Sequence, residues 1–289
     1  MTTIGLVGLG LIGGSLGLDL RSQGLEVLGV SRKETTCQIA KERGAVTEAS
    51  VNLEILNRAD IIFICTPIAS IISTLELLLP YLNPETIITD VGSVKAPIVK
   101  KCSQLWGNFV GGHPMAGTAD QGIEAAQYEL FVNAPYVITP LKTTPPEAVK
   151  KIEDIARSLK SVVYSCSPAQ HDQAVAWISH LPVMVSASLI DGCMKEKDLE
   201  ILTLAKNLAS SGFRDTSRVG GGNPELGVMM ARYNTDSLLR SLKQYRKSLD
   251  QIIDVIKDEK WEKLAKILTN TQEARTEFTE NKINKSQEQ

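Results

Sequence analysis

Three short stretches of this chain pair reactive residue types with the spacing their chemistry needs. The first, Gly8-Leu9-Gly10-Leu11-Ile12-Gly13, reads G-x-G-x-x-G between an apolar run and an amphipathic one. Gly8 would permit a tight turn, Gly10 a close backbone approach to a pyrophosphate, and Gly13 close packing of a following helix. Leu11 and Ile12 would open that helix, whose free N-terminal amides suit phosphate. The second stretch is Gly111-Gly112-His113-Pro114-Met115-Ala116-Gly117, where small neighbours leave little bulk between an imidazole and a ligand. Its intrinsic pKa near neutrality suits His113 to taking a proton from a hydroxyl. The third, Gly212-Phe213-Arg214-Asp215-Thr216-Ser217-Arg218, reads as a short segment between helices. Arg214 or Arg218 could bind a carboxylate there, with Asp215 able to neutralise one of them instead.

The kind of dinucleotide is decided after the second strand, where NAD enzymes carry an acid for the ribose 2′-hydroxyl. Here the residues are Val30-Ser31-Arg32-Lys33, with no acid. A Ser31 hydroxyl and an Arg32 guanidinium suit a 2′-phosphate, so NADP is the expected cofactor. The competing arrangement lays Arg32 on the adenine and brings Glu34 to the ribose. Cys65-Thr66-Pro67 and Gly92-Ser93 follow the third and fourth expected strands and are placed at the nicotinamide half, though turn chemistry alone would also account for them. His171 and His180 lie nine residues apart on one expected helix. At about 100° per residue they fall on opposite faces and form no common metal site. His180, close before Pro182, is better placed to face a cleft.

Positioning these groups requires a fold with many strand ends on one edge. Short β-branched runs are expected as strands near Ile4–Val7, Val27–Val30, Ile61–Ile64, Thr86–Thr89, Phe109–Gly111, Tyr136–Ile138 and Val162–Tyr164, with helices such as Gly14–Ser22 and Pro146–Leu159 between them. This alternation is that of βαβ units around a parallel sheet. The fold class is therefore α/β: a Rossmann-type parallel-sheet domain over residues 1–166, then an all-helical domain over 167–289. Ser167-Pro168 would cap and open a helix running towards Gly192. Leu199, Leu202, Ala205 and Leu208-Ala209 mark another, ended by Gly212 in the left-handed position. Leu238, Leu242, Tyr245, Leu249, Ile252 and Ile256 stripe one long helix. A small helical unit with such a stripe is expected to complete its burial against a second copy, giving a homodimer through Pro168 to Glu280. The tail from about Asn281 is polar and is expected to fray.

Composition removes several function classes. With 289 residues, 31 Lys+Arg against 33 Asp+Glu and a net charge of −2, the chain has no basic field for nucleic acid. Its five cysteines, never closer than 27 residues apart, form no disulfide or zinc pattern and suit a reducing cytoplasm. The apolar N-terminus has no preceding Lys or Arg and no cleavage pattern, so neither a targeting signal nor membrane attachment is expected.

Taken together, the opening fingerprint, Asp90-Val91-Gly92-Ser93-Val94-Lys95, Gly112-His113-Pro114-Met115-Ala116-Gly117, Ile178-Ser179-His180-Leu181-Pro182 and Phe213-Arg214-Asp215-Thr216-Ser217-Arg218 resemble the prephenate and arogenate dehydrogenases of tyrosine biosynthesis. The resemblance covers nearly the whole chain and is strongest to the short, NADP-using cyanobacterial arogenate enzymes. It implies a Rossmann domain followed by a helical dimerisation domain. The implied substrate is a cyclohexadienol carboxylate that loses hydride and then carbon dioxide. By the same resemblance His113 is the base, Ser93 orients the substrate hydroxyl, His180 positions substrate and nicotinamide, and Arg218 holds a carboxylate, with Arg214 a second candidate. No span remains for a chorismate mutase or regulatory domain, so feedback by tyrosine would act at the active site. Arogenate is the expected substrate, with prephenate the nearest alternative. A β-hydroxyacid dehydrogenase or imine reductase and a non-catalytic NADP sensor stand further off, because the helix from Pro168 lacks the lysine of the hydroxyacid enzymes and His113 accompanies Ser93.

Overall fold

The computed structural model describes residues 2–118 and 120–279 of the chain. Eight strands form one sheet: β1 (Thr3–Val7), β2 (Glu26–Val30), β3 (Glu48–Ser50), β4 (Ile61–Ile64), β5 (Ile87–Asp90), β6 (Phe109–Pro114), β7 (Pro135–Thr139) and β8 (Val162–Ser165). Their order is β3-β2-β1-β4-β5-β6-β7-β8. Every pairing is parallel except that of β6 with β7. Continuous apolar runs such as Ile61-Ile62-Phe63-Ile64 are what a strand covered on both faces requires. Phe63 enters one apolar layer with Ile4, Leu6, Leu16 and Ile152, while Ile62 and Ile64 enter the other with Val7, Leu28, Ile71 and Ile98. The period of two along the strand thus divides the core between the faces.

Helices α1 (Leu11–Ser22), α2 (Glu34–Glu42), α3 (Ile71–Leu78), α4 (Ala96–Leu105) and α5 (Pro146–Ser158) cover the sheet. Then come α6 (Pro168–Val175), a five-residue π turn over Ala176–His180, α7 (Leu181–Met194), α8 (Leu199–Leu208), α9 (Ser211–Ser217) and α10 (Pro224–Tyr233). A capping box closes the start of α6, with Ser167 and Gln170 satisfying each other's backbone amides. These elements belong to one compact unit that runs to Thr235; a second, beginning at Asp236, comprises nearly all of α11 (Thr235–Lys257) and α12 (Trp261–Thr279).

One strand was not foreseen, and three expectations are corrected. Strand β3 was not legible, because Glu48-Ala49-Ser50 has no β-branched residue and pairs only because β2 offers it an open edge. β6 runs on through His113, so that histidine sits in a strand, held by the antiparallel ladder that matches it to Val137. Gly212 does not end a helix in the left-handed region: α8 stops at Leu208, and Ser210, in extended backbone, starts α9 at once by accepting the Arg214 amide at 2.9 Å. Residues 213–218 are accordingly helical rather than a linker. The tail from Asn281 lies outside the described residues.

The continuous helical run Pro168–Met194 is 27 residues long and apolar enough by length and composition to cross a membrane. It carries His171, Asp172 and His180, all buried, and Asp172 bonds to backbone at the start of α4.

Candidate active site

β1 and β4 are neighbours whose following helices, α1 and α3, pack on opposite faces of the sheet. Such a reversal opens a crevice at the carboxyl edge, the usual ligand position in open α/β sheets. Gly8, Gly10, Leu11, Ile12 and Gly13 line the β1–α1 turn there. Gly8 has φ of +102°, and a Cβ on it would stand 2.7 Å from the Cys65 carbonyl oxygen. A Cβ on Gly13 would stand 2.0 Å from the Gly8 oxygen, whereas one on Gly10 meets no protein atom within 4 Å. Gly13 therefore serves the fold and Gly10 keeps space clear beside the first amides of α1, which no side chain caps. Gly13→Ala is expected to destabilise the domain by several kcal/mol, since the backbone contact cannot be relieved without movement. Gly10→Ala is expected to keep the wild-type melting temperature and lose dinucleotide affinity, measured by titration calorimetry.

Ser31 and Arg32 follow β2, with Arg32 exposed and its guanidinium bound to nothing among the described residues. The Ser31 hydroxyl accepts the Lys33 amide at 3.4 Å. The Cys65 amide donates to Val7 at 2.7 Å, which fixes Cys65-Thr66-Pro67 beside the glycine turn. Burial pushes the Cys65 thiol pKa far up, so it is an apolar wall. An uncapped helix start and a cleared Gly10 fit the pyrophosphate of a dinucleotide.

Beyond β5 lies a buried polar cluster. Asp90 accepts the Gly92 amide at 2.9 Å and the Gly112 amide at 3.3 Å, and pairs with the fully buried Lys95. Lys95 also donates to the Gly112 carbonyl at 2.6 Å. One ion pair thus holds both the Gly92-Ser93 turn and the backbone just before His113. Burial pulls the Lys95 pKa down, and Asp90 opposes that shift.

His113 does not stand alone. Its Nδ1 is 2.8 Å from His171 Nε2, and His171 Nδ1 is 2.8 Å from Asp172 Oδ1. Asp172 accepts amides from Lys95 at 2.7 Å and Ala96 at 2.8 Å, at the positive end of α4. The neutral chain has one consistent set of protons. The Asp172 carboxylate can only accept, so His171 donates from Nδ1 and accepts at Nε2; His113 must then donate from Nδ1. This leaves a lone pair on His113 Nε2, for which no protein partner exists among the described residues. Burial is the main cause holding the His113 pKa well below its usual value, and charge on His171, Lys95 or His180 would act the same way. The His113 imidazole is therefore held neutral, with Nε2 able to accept a proton.

His180 is fully buried, and burial lowers its pKa to about 4. The π turn inserts a residue into the helix and undoes the opposite-face geometry that an unbroken α-helix would give His171 and His180. Both now reach the surroundings of Asp172, His180 through Asn234, whose amide donates to the Asp172 carbonyl at 2.7 Å. Among the described residues no cluster could hold a metal ion. Ser93 is half-buried on its turn. Arg214 and Arg218 are exposed, Arg214 facing Asp215 at 3.5 Å, and the structure shows no contact between either arginine and the histidine cluster. Their segment docks on α7 through the Gly220 amide and the Ser186 hydroxyl, 2.8 Å apart.

His171, Asp172, Lys95 and Asn234 were not singled out from the sequence. A His-Asp pair one turn into a capped helix reads as surface, and only the burial of α6 against α4 makes it part of a site.

The family model for the prephenate dehydrogenase nucleotide-binding domain matches residues 16–165, and that for the prephenate dehydrogenase dimerization domain matches 167–270. A prephenate dehydrogenase of Bacillus subtilis is 32% identical over 91% of this chain and 72% of its own length. The crystal structure of Synechocystis arogenate dehydrogenase is 56% identical, covers 96% of this chain and 100% of its own, and superposes with a TM-score of 0.89. That of Aquifex aeolicus prephenate dehydrogenase, in complex with hydroxyphenyl propionate and NAD+, is 25% identical over 96% of this chain and 98% of its own, with a TM-score of 0.90. With the nucleotide-binding and dimerization models matched in sequence order over residues 16–165 and 167–270, the chain belongs to the prephenate dehydrogenase family.

Proposed function

We propose that this chain is an NADP-dependent arogenate dehydrogenase, oxidising and decarboxylating arogenate to tyrosine. The carrying observation is the free lone pair on His113 Nε2, left there by the Asp172–His171–His113 chain. The bound dinucleotide supplies the hydride acceptor. His113 takes the hydroxyl proton as hydride departs from the same carbon, and its Nδ1 proton can pass to His171, bringing the positive charge beside Asp172. Ser93, on the turn fixed by Asp90, orients the hydroxyl. His180 positions substrate and nicotinamide. Arg218, with Arg214 as the second candidate, holds a substrate carboxylate. Once the hydroxyl-bearing carbon is oxidised, loss of the ring carboxylate as carbon dioxide makes the ring aromatic. The substrate choice rests on the 56% identity to the Synechocystis arogenate enzyme. Steady-state reduction of NADP with arogenate and with prephenate tests it; a higher kcat/KM with prephenate would reverse it.

The cofactor reading rests on Arg32 and Ser31 in place of an acid. Arg32→Ala is expected to weaken NADP binding on the order of ten- to a hundredfold, the loss of one charge-assisted contact, and to leave NAD nearly unchanged. Equal losses for both dinucleotides would place Arg32 elsewhere.

The domain division follows the same reading: residues 1–166 bind the dinucleotide, and 167–289 serve substrate and self-association. The chain acts as a homodimer. On α8, Leu199, Ile201, Leu204 and Leu208 are all more than half exposed, an apolar face that a second copy would cover. On α11, Tyr245, Leu249 and Ile256 are exposed along one stripe. Light scattering should give twice the chain mass at micromolar concentration. Five unpaired cysteines suit the cytoplasm, with no role for nucleic acid or membrane.

A further inference from the structure

Four buried side-chain polar atoms have no partner among the described residues: Thr89 Oγ1, Tyr136 Oη, Thr139 Oγ1 and His180 Nε2. The three hydroxyls can rotate their protons and accept as well as donate. His180 is different, because whether Nε2 donates or accepts is dictated by what its other nitrogen does. That nitrogen, Nδ1, lies 3.2 Å from Asn234 Nδ2. The orientation of the Asn234 amide is fixed independently, since Nδ2 is 2.7 Å from the Asp172 carbonyl oxygen, which can only accept. The same NH2 group therefore spends one proton on that carbonyl and has the second for His180 Nδ1. Asn234 is itself buried at the end of α10, so water does not compete for the pair.

We propose that Asn234 is a positioning residue that fixes His180 as the Nε2–H tautomer, presenting a buried donor to an acceptor oxygen of the bound dienol acid. The two site histidines then have opposite roles imposed from one place. Through its carboxylate and His171, Asp172 leaves His113 Nε2 as an acceptor; through its backbone carbonyl and Asn234, it leaves His180 Nε2 as a donor. A base and a fixed donor are what a substrate needs when it loses a hydroxyl proton and must be held by an oxygen that stays unprotonated. The identity of the ligand rests on the proposed function; the tautomer does not.

Nitrogen-15 spectra of histidine-labelled, full-length protein without substrate, near pH 7, separate the two. Wild type is expected to show His180 Nδ1 unprotonated and Nε2 protonated, with His113 the reverse. Asn234→Asp, whose carboxylate can only accept, is expected to put a proton on His180 Nδ1 while the His113 signals stay in place. Asn234→Ala should remove the bias and raise KM for the acid about three- to tenfold, the loss of one hydrogen bond, with a smaller fall in kcat. A wild-type His180 protonated at Nδ1 would overturn the proposal even if neither variant folds, as would an unchanged His180 in a folded Asn234→Asp. The expected tautomers in a protein that turns over neither arogenate nor prephenate would uphold Asn234's role and defeat the function assigned above.

Discussion

His113→Ala is expected to lower kcat by about 10²–10⁴-fold, the usual contribution of a positioned base, with dinucleotide affinity close to wild type. Binding and chemistry separate because the glycine turn after β1 and the end of β2 hold the cofactor without help from β6. The pH dependence gives a second readout. A base works only when unprotonated, and burial holds the His113 pKa well below the usual 6.5. Wild-type turnover should therefore remain level as pH falls through 6.5 and decline only in a more acid range; the alanine variant should lack that decline. Stability moves in the same direction for a separate reason. Below 6.5 the unfolded chain protonates its histidines, whereas folded His180 resists down to about 4, so folding weakens as pH falls through that window. The acid limb must accordingly be measured on protein shown to be folded at each pH. Near-normal turnover by the folded alanine variant would remove His113 from the base role.

The second large effect is expected at Asp172, a buried residue whose two carboxylate oxygens are already taken by protein donors. Asp172→Asn keeps the shape and removes an acceptor. Lys95 and Ala96 donate amides to the two oxygens and His171 donates to one, so an NH2 group in either position meets a donor. If it faces His171, it also leaves the Lys95 amide without its acceptor, and the proton set inverts: His171 accepts at Nδ1 and donates from Nε2, and His113 is left with a proton on Nε2 and no base. If it faces Ala96, a helix amide is left unsatisfied, at a cost of about 1–3 kcal/mol. Where the NH2 group faces His171, tautomer inversion should govern turnover, with kcat falling about as far as in His113→Ala and KM changing little. Normal kcat in a variant whose His171 is shown by nitrogen-15 spectra to carry its proton on Nε2 would show that the chain of histidines does not set the base.

Much of the site was legible because its parts are local. Gly8, Gly10 and Gly13 announce their turn through spacing alone, and the lack of an acid after Val30 is visible without coordinates. The N-cap at Ser167 and the apolar stripe of α11 are equally local, each depending on residues within one helix. His113 stood out because one histidine among small residues at a strand end has few structural uses.

What the sequence left hidden depends on contacts between segments far apart in the chain. His113 and His171 are 58 residues apart, and Asn234 lies 62 residues from Asp172. Lys95 and Asp90 are near neighbours in sequence, yet only a covered sheet edge makes their ion pair anhydrous and fixes the backbone of Gly112. The π turn at Ala176–His180 is the clearest case. A fixed angle per residue put His171 and His180 on opposite faces, whereas one wider turn brings both to Asp172. By itself the sequence determined the α/β class and the glycine-rich turn, and it singled out His113. The tertiary structure alone decided which nitrogen of each histidine carries the proton, because a tautomer is set by the partner across the fold and no local pattern encodes that partner.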